Sequence, residues 1–515
     1  MRLVLLLLLL LSGSLAQGRM VEVIVELEGP ALPSHLNKAE LVGLLKAHLG
    51  RMKGRLKVQP VKGYWASQSL LVRLPEEQVG VLLRTPGVRR VYLNRGVRLA
   101  QPAALSTPVQ SGSRWALEQI GAPTLWAAGL RGQGVRIGHL DTGVDANHPE
   151  LRGKVAAFAV IEPGGTPRPS QPYDSAQHGT HTAGLLVGQS VGVAPEARLV
   201  SALVLPQGSG TLAQVLGGLD WVLEQGVQVV SMSLGLEGAW PEFIPVVERM
   251  QRMGVLPVFA IGNTPDRTTS PGNLPGVIGV GATDPAKRVA AFSGRGEVRW
   301  EGPSPQRVAK PDLVAPGVGV LSSVPGGGYM AMSGTSVSTA LTAGGAALLL
   351  AGGHKPEAVR AALLRSAEPI ASPASGRGLL RLDEALAALR PPQREQKALV
   401  VAEIPGVEAL RPVLEGLGFR LEVVKSRPGP EKLQDYPLVV FLLPADWSQD
   451  WPDPHRRALR SYVEAGGRLL LLSEAPGRPL VESGAFGQGR ASFVSGELES
   501  LPLEALRGVV EQLLR

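Results

Sequence analysis

Two histidines stand three positions apart in HGTHTAG (178–184), in a chain with only eight histidines and no cysteine. Such a pair can hold a metal, carry a base, or sit in a core. A zinc site needs three or four ligands, usually cysteine or carboxylate beside histidine. No glutamate stands in a His-Glu-x-x-His arrangement, and the other six histidines form no second pair, so a metal is disfavoured. His178 follows a polar stretch and precedes Gly179, the setting of an exposed group at a helix start. His181 lies one turn further on, before an apolar run, and reads as buried scaffold.

Three further residues could complete a reaction centre. Asp141 follows the apolar run VRIGHL (135–140), Asn263 ends FAIGN (259–263), and Ser336 stands in the Gly-rich SGTSVSTA (333–340). Each has a plain reading by itself: a turn Asp beside Gly143, a turn Asn after Gly262, and one of several hydroxyls able to cap a helix. Asp145, already inside the turn, reads as structural. Together they supply a carboxylate to orient an imidazole, a base, an amide donor for an oxyanion, and a hydroxyl at a helix N-terminus. That is the set that acyl transfer requires.

Positioning those groups takes a parallel sheet. Short, nearly continuous apolar runs at 135–140, 198–205, 227–232, 255–260 and 277–282 alternate with helical patterns that include 211–225 and 241–253. Such runs indicate an α/β fold with helices on both faces of a central parallel sheet, where function gathers at the carboxyl ends of the strands. Ahead of it, VEVIVELE (21–28), a helical pattern over 36–49, SQSLLVRL (67–74), a short helix from Pro75 to about Arg84 and VRRVYLNRGVRL (88–99) form a small α+β unit. Residues 100–113 are rich in Pro, Ala, Ser and Gln and read as a linker. After a second linker at 391–396, runs at 398–403, 419–424, 437–443 and 467–474 make a smaller α/β domain.

HLDTGVDANHPEL, HGTHTAG, SMSLG, AIGN, KPDLVAPG and SGTSVSTA together resemble the signature blocks of the subtilisin family of serine proteases, across residues 115–390. The order Asp…His…Ser is the one that the general account of catalytic triads gives for subtilisin itself. The resemblance implies that Asp141 orients the imidazole, His178 is the general base and Ser336 the nucleophile. Asn263 and the Ser336 backbone N–H would hold the oxyanion. An extended substrate would run along Ser233, Leu234 and Gly235, with Ala260, Ile261 and Gly262 around the pocket for the residue before the cut and Thr269 at its floor. The pocket segments contain no acidic residue, so broad cleavage after apolar or medium-sized residues is expected. Two departures stand out: Val337 follows the serine where the family usually has Met, and the proline after this block is missing. No cofactor is required. Calcium is left open: Glu150 stands where the family often has a ligand, but the accompanying loop at 184–197 is short. Asp312 with the carbonyls of Pro275 and Val277 could form a weaker cation site.

By the same resemblance the N-terminal unit, residues 20–100, is an inhibitory propeptide with a four-stranded βαββαβ fold. Residues 101–113 would be the processing region, with the first cut near Leu99 to Gln101, and residues 114–390 the catalytic domain. Residues 397–515 are similar to flavodoxin- and glutamine-amidotransferase-like domains. Lacking that class's cysteine, they are expected to serve an accessory or binding role.

Composition supports these expectations. The chain of 515 residues, with 44% hydrophobic and 19% charged residues, is globular and long enough for several domains. Its net charge of +8 sits almost wholly in residues 20–112, which hold 13 Lys/Arg against 6 Asp/Glu. A nucleic-acid binder would keep its basic surface on the functional domain, so no nucleic-acid partner is expected. The N-terminal run Leu3–Leu11 is too short to span a bilayer, and Ser14 and Ala16 suit signal peptidase. Residues 1–16 are therefore expected to be a signal peptide, leaving a secreted monomer off the membrane, acting on protein and peptide substrates and inhibited by its own propeptide. The competing reading is a silent protease-fold protein that binds partners through its C-terminal domain.

Overall fold

The computed structural model describes residues 19–33, 35–56, 58–99, 114–300, 306–389, 396–444, 453–473, 484–486, 489–495 and 503–514. The expected signal peptide (1–16) and processing region (101–113) lie outside the described residues. The chain divides into two compact units, Met1–Leu389 and Arg390–Arg515.

Seven parallel strands and one antiparallel edge strand make the large sheet of the first unit. Its order is Leu313–Pro316, Ile278–Thr283, Leu256–Ala260, Val229–Met232, Arg136–Asp141, Arg198–Leu203, Val155–Ile161 and Pro167–Pro169. The central strands are buried on both faces, which is why they read as unbroken apolar runs rather than alternating ones. Leu256–Ala260, Val229–Met232 and Arg136–Asp141 are neighbours, so the chain segments leaving their carboxyl ends emerge side by side. Two helices that begin with functional side chains, His178–Val187 and Thr335–Ala351, pack against each other beside the sheet. Both are apolar almost all round and almost wholly buried.

Residues 20–93 form a separate four-stranded antiparallel sheet ordered Pro60–Tyr64, Ser69–Pro75, Met20–Leu27, Val88–Leu93, with the helix Lys38–Arg55 and the short helix Val79–Leu83. The long helix is started by a capping box in which Asn37 and Glu40 satisfy each other's backbone N–H. One apolar cluster runs from this unit (Val23, Val25, Leu70, Val72) into the helices Leu212–Glu224 and Ile244–Arg252 of the catalytic sheet. The two pieces therefore share a core.

The second unit is a six-stranded sheet in the order Phe419–Val424, Gln396–Ala402, Leu438–Leu443, Arg468–Ser473, Gly489–Ser495, Gly484–Phe486, parallel except at the last pair. Apolar clusters cover both of its faces. Among the described residues no helix is long and apolar enough to cross a membrane.

Candidate active site

Asp141 ends its strand fully buried, and its carboxylate is surrounded by donors. His178 Nδ1 lies 2.7 Å from Oδ1 and 3.0 Å from Oδ2. The Thr142 amide donates to Oδ1 at 2.7 Å, and Thr182 Oγ1 donates to Oδ2 at 3.1 Å. Burial pushes this carboxyl up, but His178 and His139 outweigh it and hold the group well below the usual carboxylate range. For His178, burial favours the neutral ring, yet the attraction and hydrogen bond of Asp141 win and raise its pKa above the ordinary 6.5. His178 Nε2 is buried and has no hydrogen-bond partner among the described residues. With Nδ1–H held by Asp141, Nε2 is an unshared lone pair, as a general base requires.

The loop carrying His178 is clamped from behind. A β-carbon on Gly179 would come within 2.0 Å of the Gly143 carbonyl oxygen, so only glycine lets the DTG and HGT turns touch. Asp174 accepts from Thr142 Oγ1, Thr180 N and Thr180 Oγ1, each at 2.7 Å, and Thr142 Oγ1 accepts from Gly179 N. Asp145 is a turn residue that accepts from Asn147 N and Gly326 N. His181 sits fully buried, with Nε2 3.1 Å from Val320 O and 3.0 Å from Met330 O. Burial, then the neighbouring His178, lowers its pKa to about 4, so it is neutral scaffold.

Ser336 lies in the first turn of the helix Thr335–Ala351, and Asn263 follows the strand Leu256–Ala260. Asn263 Oδ1 accepts from both Thr335 N and Thr335 Oγ1 at 2.9 Å, which fixes the carboxamide against the helix end. A β-carbon on Gly334 would lie 3.1 Å from Ser336 Oγ and 3.2 Å from Asn263 Nδ2. Hydroxyl and carboxamide nitrogen thus converge on one small space that glycine keeps open. Ser233 Oγ donates to the Ser336 carbonyl at 3.2 Å, tying the end of Val229–Met232 to the same turn.

Of the remaining substrate-segment residues, Leu234 and Ile261 bury their side chains completely in the core, so these two offer a ligand only backbone. Gly235 bridges Arg98 in antiparallel fashion, and Gly96–Arg98 pairs antiparallel with Ser209–Thr211. Leu99 N donates to Gly208 O at 3.0 Å, and Val97 is fully buried. The segment after the N-terminal sheet is therefore an added strand between two edges of the cleft.

At both places left open for a cation, the carboxylate is already committed to partners of the chain itself. Asp312 Oδ2 accepts from Gly279 N at 2.7 Å and from the buried Lys310 ammonium at 2.6 Å, so a positive charge of the chain's own stands where Pro275, Val277 and Asp312 were expected to bind an ion. Glu150 is likewise committed to Ser190, Val191 N and Tyr329 Oη. Among the described residues no group of three or more His, Cys, Asp or Glu could hold a metal.

Sequence reasoning missed His139. Its Nε2 lies 2.9 Å from Thr182 Oγ1 and 3.6 Å from Asp141 Oδ2, and its Nδ1 lies 3.0 Å from Ser201 Oγ. Spacing i, i+2 on one strand places it on the same face as Asp141, a signal that was legible. Asp174 gave none, because its partners come from the turn after one strand and the start of a helix.

Residues 132–395 match the subtilase family, peptidase S8. The chain is a subtilase. It is accordingly a serine endopeptidase, with the parallel-sheet fold expected of one. It is 32% identical over 289 residues to subtilisin E of Bacillus subtilis (strain 168), covering 54% of this chain and 69% of that protein. The intracellular serine protease of Paenibacillus polymyxa is 37% identical over 245 residues, 45% of this chain and 71% of the other. Bacillopeptidase F of Bacillus subtilis (strain 168) is 30% identical over 349 residues, 59% of this chain but only 24% of that much longer protein.

Proposed function

We propose that this subtilase is a secreted, self-processing endopeptidase in which Asp141, His178 and Ser336 form the catalytic triad. The observation that carries the reading is the extended segment Gly96–Leu99, held as an added strand between residues 208–211 and Gly235, two residues from the Ser233 hydroxyl that bonds the Ser336 carbonyl. A peptide held this way is recognised through its backbone, so proteins and peptides are the substrates.

In the reaction, Ser336 Oγ attacks the carbonyl carbon of the scissile peptide while His178 Nε2 takes its proton. Asp141 stays ionised, keeps the Nδ1–H tautomer and stabilises the imidazolium. The negative oxygen of the tetrahedral intermediate is met by Asn263 Nδ2 and the Ser336 backbone N–H, aimed there by the Thr335 anchor and the helix N-terminus. His178 then returns the proton to the leaving amine, and the acyl-serine ester forms. Water attacks that ester by the same steps in reverse, releasing the acid and restoring the serine.

The N-terminal sheet is read as the propeptide. It shares a core with two helices of the catalytic sheet and fills the cleft with its own tail, so it can template folding and block the site. Residues 101–113 are the region cut, residues 114–390 the enzyme, a monomer, and residues 397–515 an accessory domain. The test is Ser336→Ala expressed as the full chain. It should accumulate uncut precursor while the parent chain processes itself, and purified Ser336→Ala that matures at the parent rate would refute self-cleavage.

A further inference from the structure

The resemblance places the pocket for the residue before the cut between residues 233–235 and 260–262, with Thr269 at its floor. Gly235 and Gly262 lie on the two segments that border it, and the Thr269 side chain fills the space between them. A β-carbon on Gly235 would lie 3.0 Å from both Thr269 Cβ and Oγ1, and one on Gly262 would lie 2.7 Å from Thr269 Cγ2. Thr269 is pinned in this position. Its amide donates to Ile261 O at 2.9 Å, its hydroxyl donates to Ala260 O at 3.2 Å, and Thr269–Ser270 pairs antiparallel with Leu236–Glu237. A β-branched side chain tied at both backbone and hydroxyl has little freedom to turn aside.

We propose that Thr269 closes the primary specificity pocket, so that the enzyme cuts after alanine, glycine or serine and excludes large residues. This rests on the reading of Ser336 as nucleophile, and it narrows the broad cleavage expected from the sequence. Packed interiors do not yield to an extra methylene without cost, and a pocket bounded by two glycine backbones and a pinned threonine has nowhere to expand.

A second observation, on the other side of the cleft, gives the same answer. Arg98 stands opposite Gly235 in an antiparallel bridge. Gly235 stands two residues after Ser233, whose hydroxyl donates to the Ser336 carbonyl, so Arg98 is held close to the nucleophile's own turn. The sequence has alanine at 100, preceded by Val97, Arg98 and Leu99 and followed by Gln101. Alanine at 100 is the smallest residue from 97 to 101, so the closed pocket selects the bond after it, before Gln101, as the first cut.

The experiment uses the processed enzyme with peptides Val-Arg-Leu-X-Gln-Ser, where X is Gly, Ala, Ser, Leu or Phe, together with N-terminal sequencing of the matured chain. Ala, Gly and Ser should exceed Leu and Phe in kcat/KM by about 10- to 200-fold, and the new N-terminus should be Gln101. Thr269→Gly should raise the Phe-to-Ala ratio at least about tenfold, whereas Thr269→Val, which keeps the shape and loses the hydroxyl, should retain the small-residue preference. Should Thr269→Gly fail to fold, the parent profile and Thr269→Ser, which removes only the methyl, decide. Parent enzyme that cuts after Phe or Leu as fast as after Ala, or a first cut after Val97 or Leu99, overturns the proposal. Fluorophosphonate labelling of Ser336 in the same preparation separates the two readings. A labelled enzyme with large-residue cleavage refutes the closed pocket alone, and an unlabelled one refutes the nucleophile.

Discussion

If the N-terminal unit is released as proposed, Asp220 should couple its hold to pH. It lies on the helix Leu212–Glu224 and accepts from Trp65 N at 2.7 Å and Ala66 N at 2.9 Å, both in the turn between Pro60–Tyr64 and Ser69–Pro75. Facing it are Glu224, paired with Lys46 at 2.6 Å, and Lys62. Burial pushes the carboxyl from 3.8 up to about 7, the two amides only partly opposing it. Once the unit leaves, Asp220 faces water and returns to about 3.9. A proton is thus bound in the complex and not in the free enzyme, so affinity is fullest below about pH 4 and falls as pH rises to about 7, flat beyond. The linked free energy is on the order of 4 kcal/mol at most, a slope of up to about tenfold in Kd per pH unit. Asp220→Asn keeps the shape but offers one acceptor to two N–H groups. It should weaken the complex by about 1–3 kcal/mol, or about 5- to 150-fold, and flatten the slope. The assay dilutes the processed, uncleared complex at pH 4.5–8, then reads free protease at one fixed pH so that the activity's own pH dependence drops out. A parent complex with no slope, or an Asp220→Asn complex with the parent's slope, refutes the reasoning.

Three further outcomes follow from the site. Asn263→Ala should lower kcat by about 10²–10³ with little change in KM, because the carboxamide serves the oxyanion rather than the ground state. The acid limb of kcat/KM should report His178 at a pKa above 6.5, activity rising as the ring loses its proton. His139→Val, by removing a group that holds Asp141 ionised and so supports the charge that raises the His178 pKa, should move that limb to lower pH, and an unmoved limb would show His139 to be packing only. Lys310→Met should cost about 1–3 kcal/mol of stability, since it leaves the half-buried Asp312 carboxylate with the Gly279 N–H but without its ammonium, with urea denaturation as the readout.

What the sequence disclosed follows the range of the interactions involved. Asp141, His178, Asn263 and Ser336 were legible because each stands where a local pattern changes, at a strand end or a helix start. The central strands were legible because burial on both faces leaves apolar runs. Pro60–Tyr64 was not, being five residues with Pro and Gly and only Tyr64 buried, and Leu313–Pro316 is short and ends in proline. Long-range partners left no trace: nothing near Asp220 points to the Trp65–Ala66 turn 154 residues away. Lys310 is the instructive case. It stands two residues before Asp312 in the KPDLVAPG block, yet the carboxylate was left open for an ion when the ammonium beside it already supplies the charge.

The central claim is that Ser336 is a nucleophile made reactive by His178 and Asp141. The most direct measurement is mass spectrometry of the processed enzyme after treatment with a fluorophosphonate, with His178→Ala expressed and processed in trans as the control. The account predicts one adduct per chain, on Ser336, formed quickly in the parent and at least about a thousandfold more slowly in His178→Ala. A parent chain that carries no adduct on Ser336, or one that forms it equally fast without His178, would contradict it.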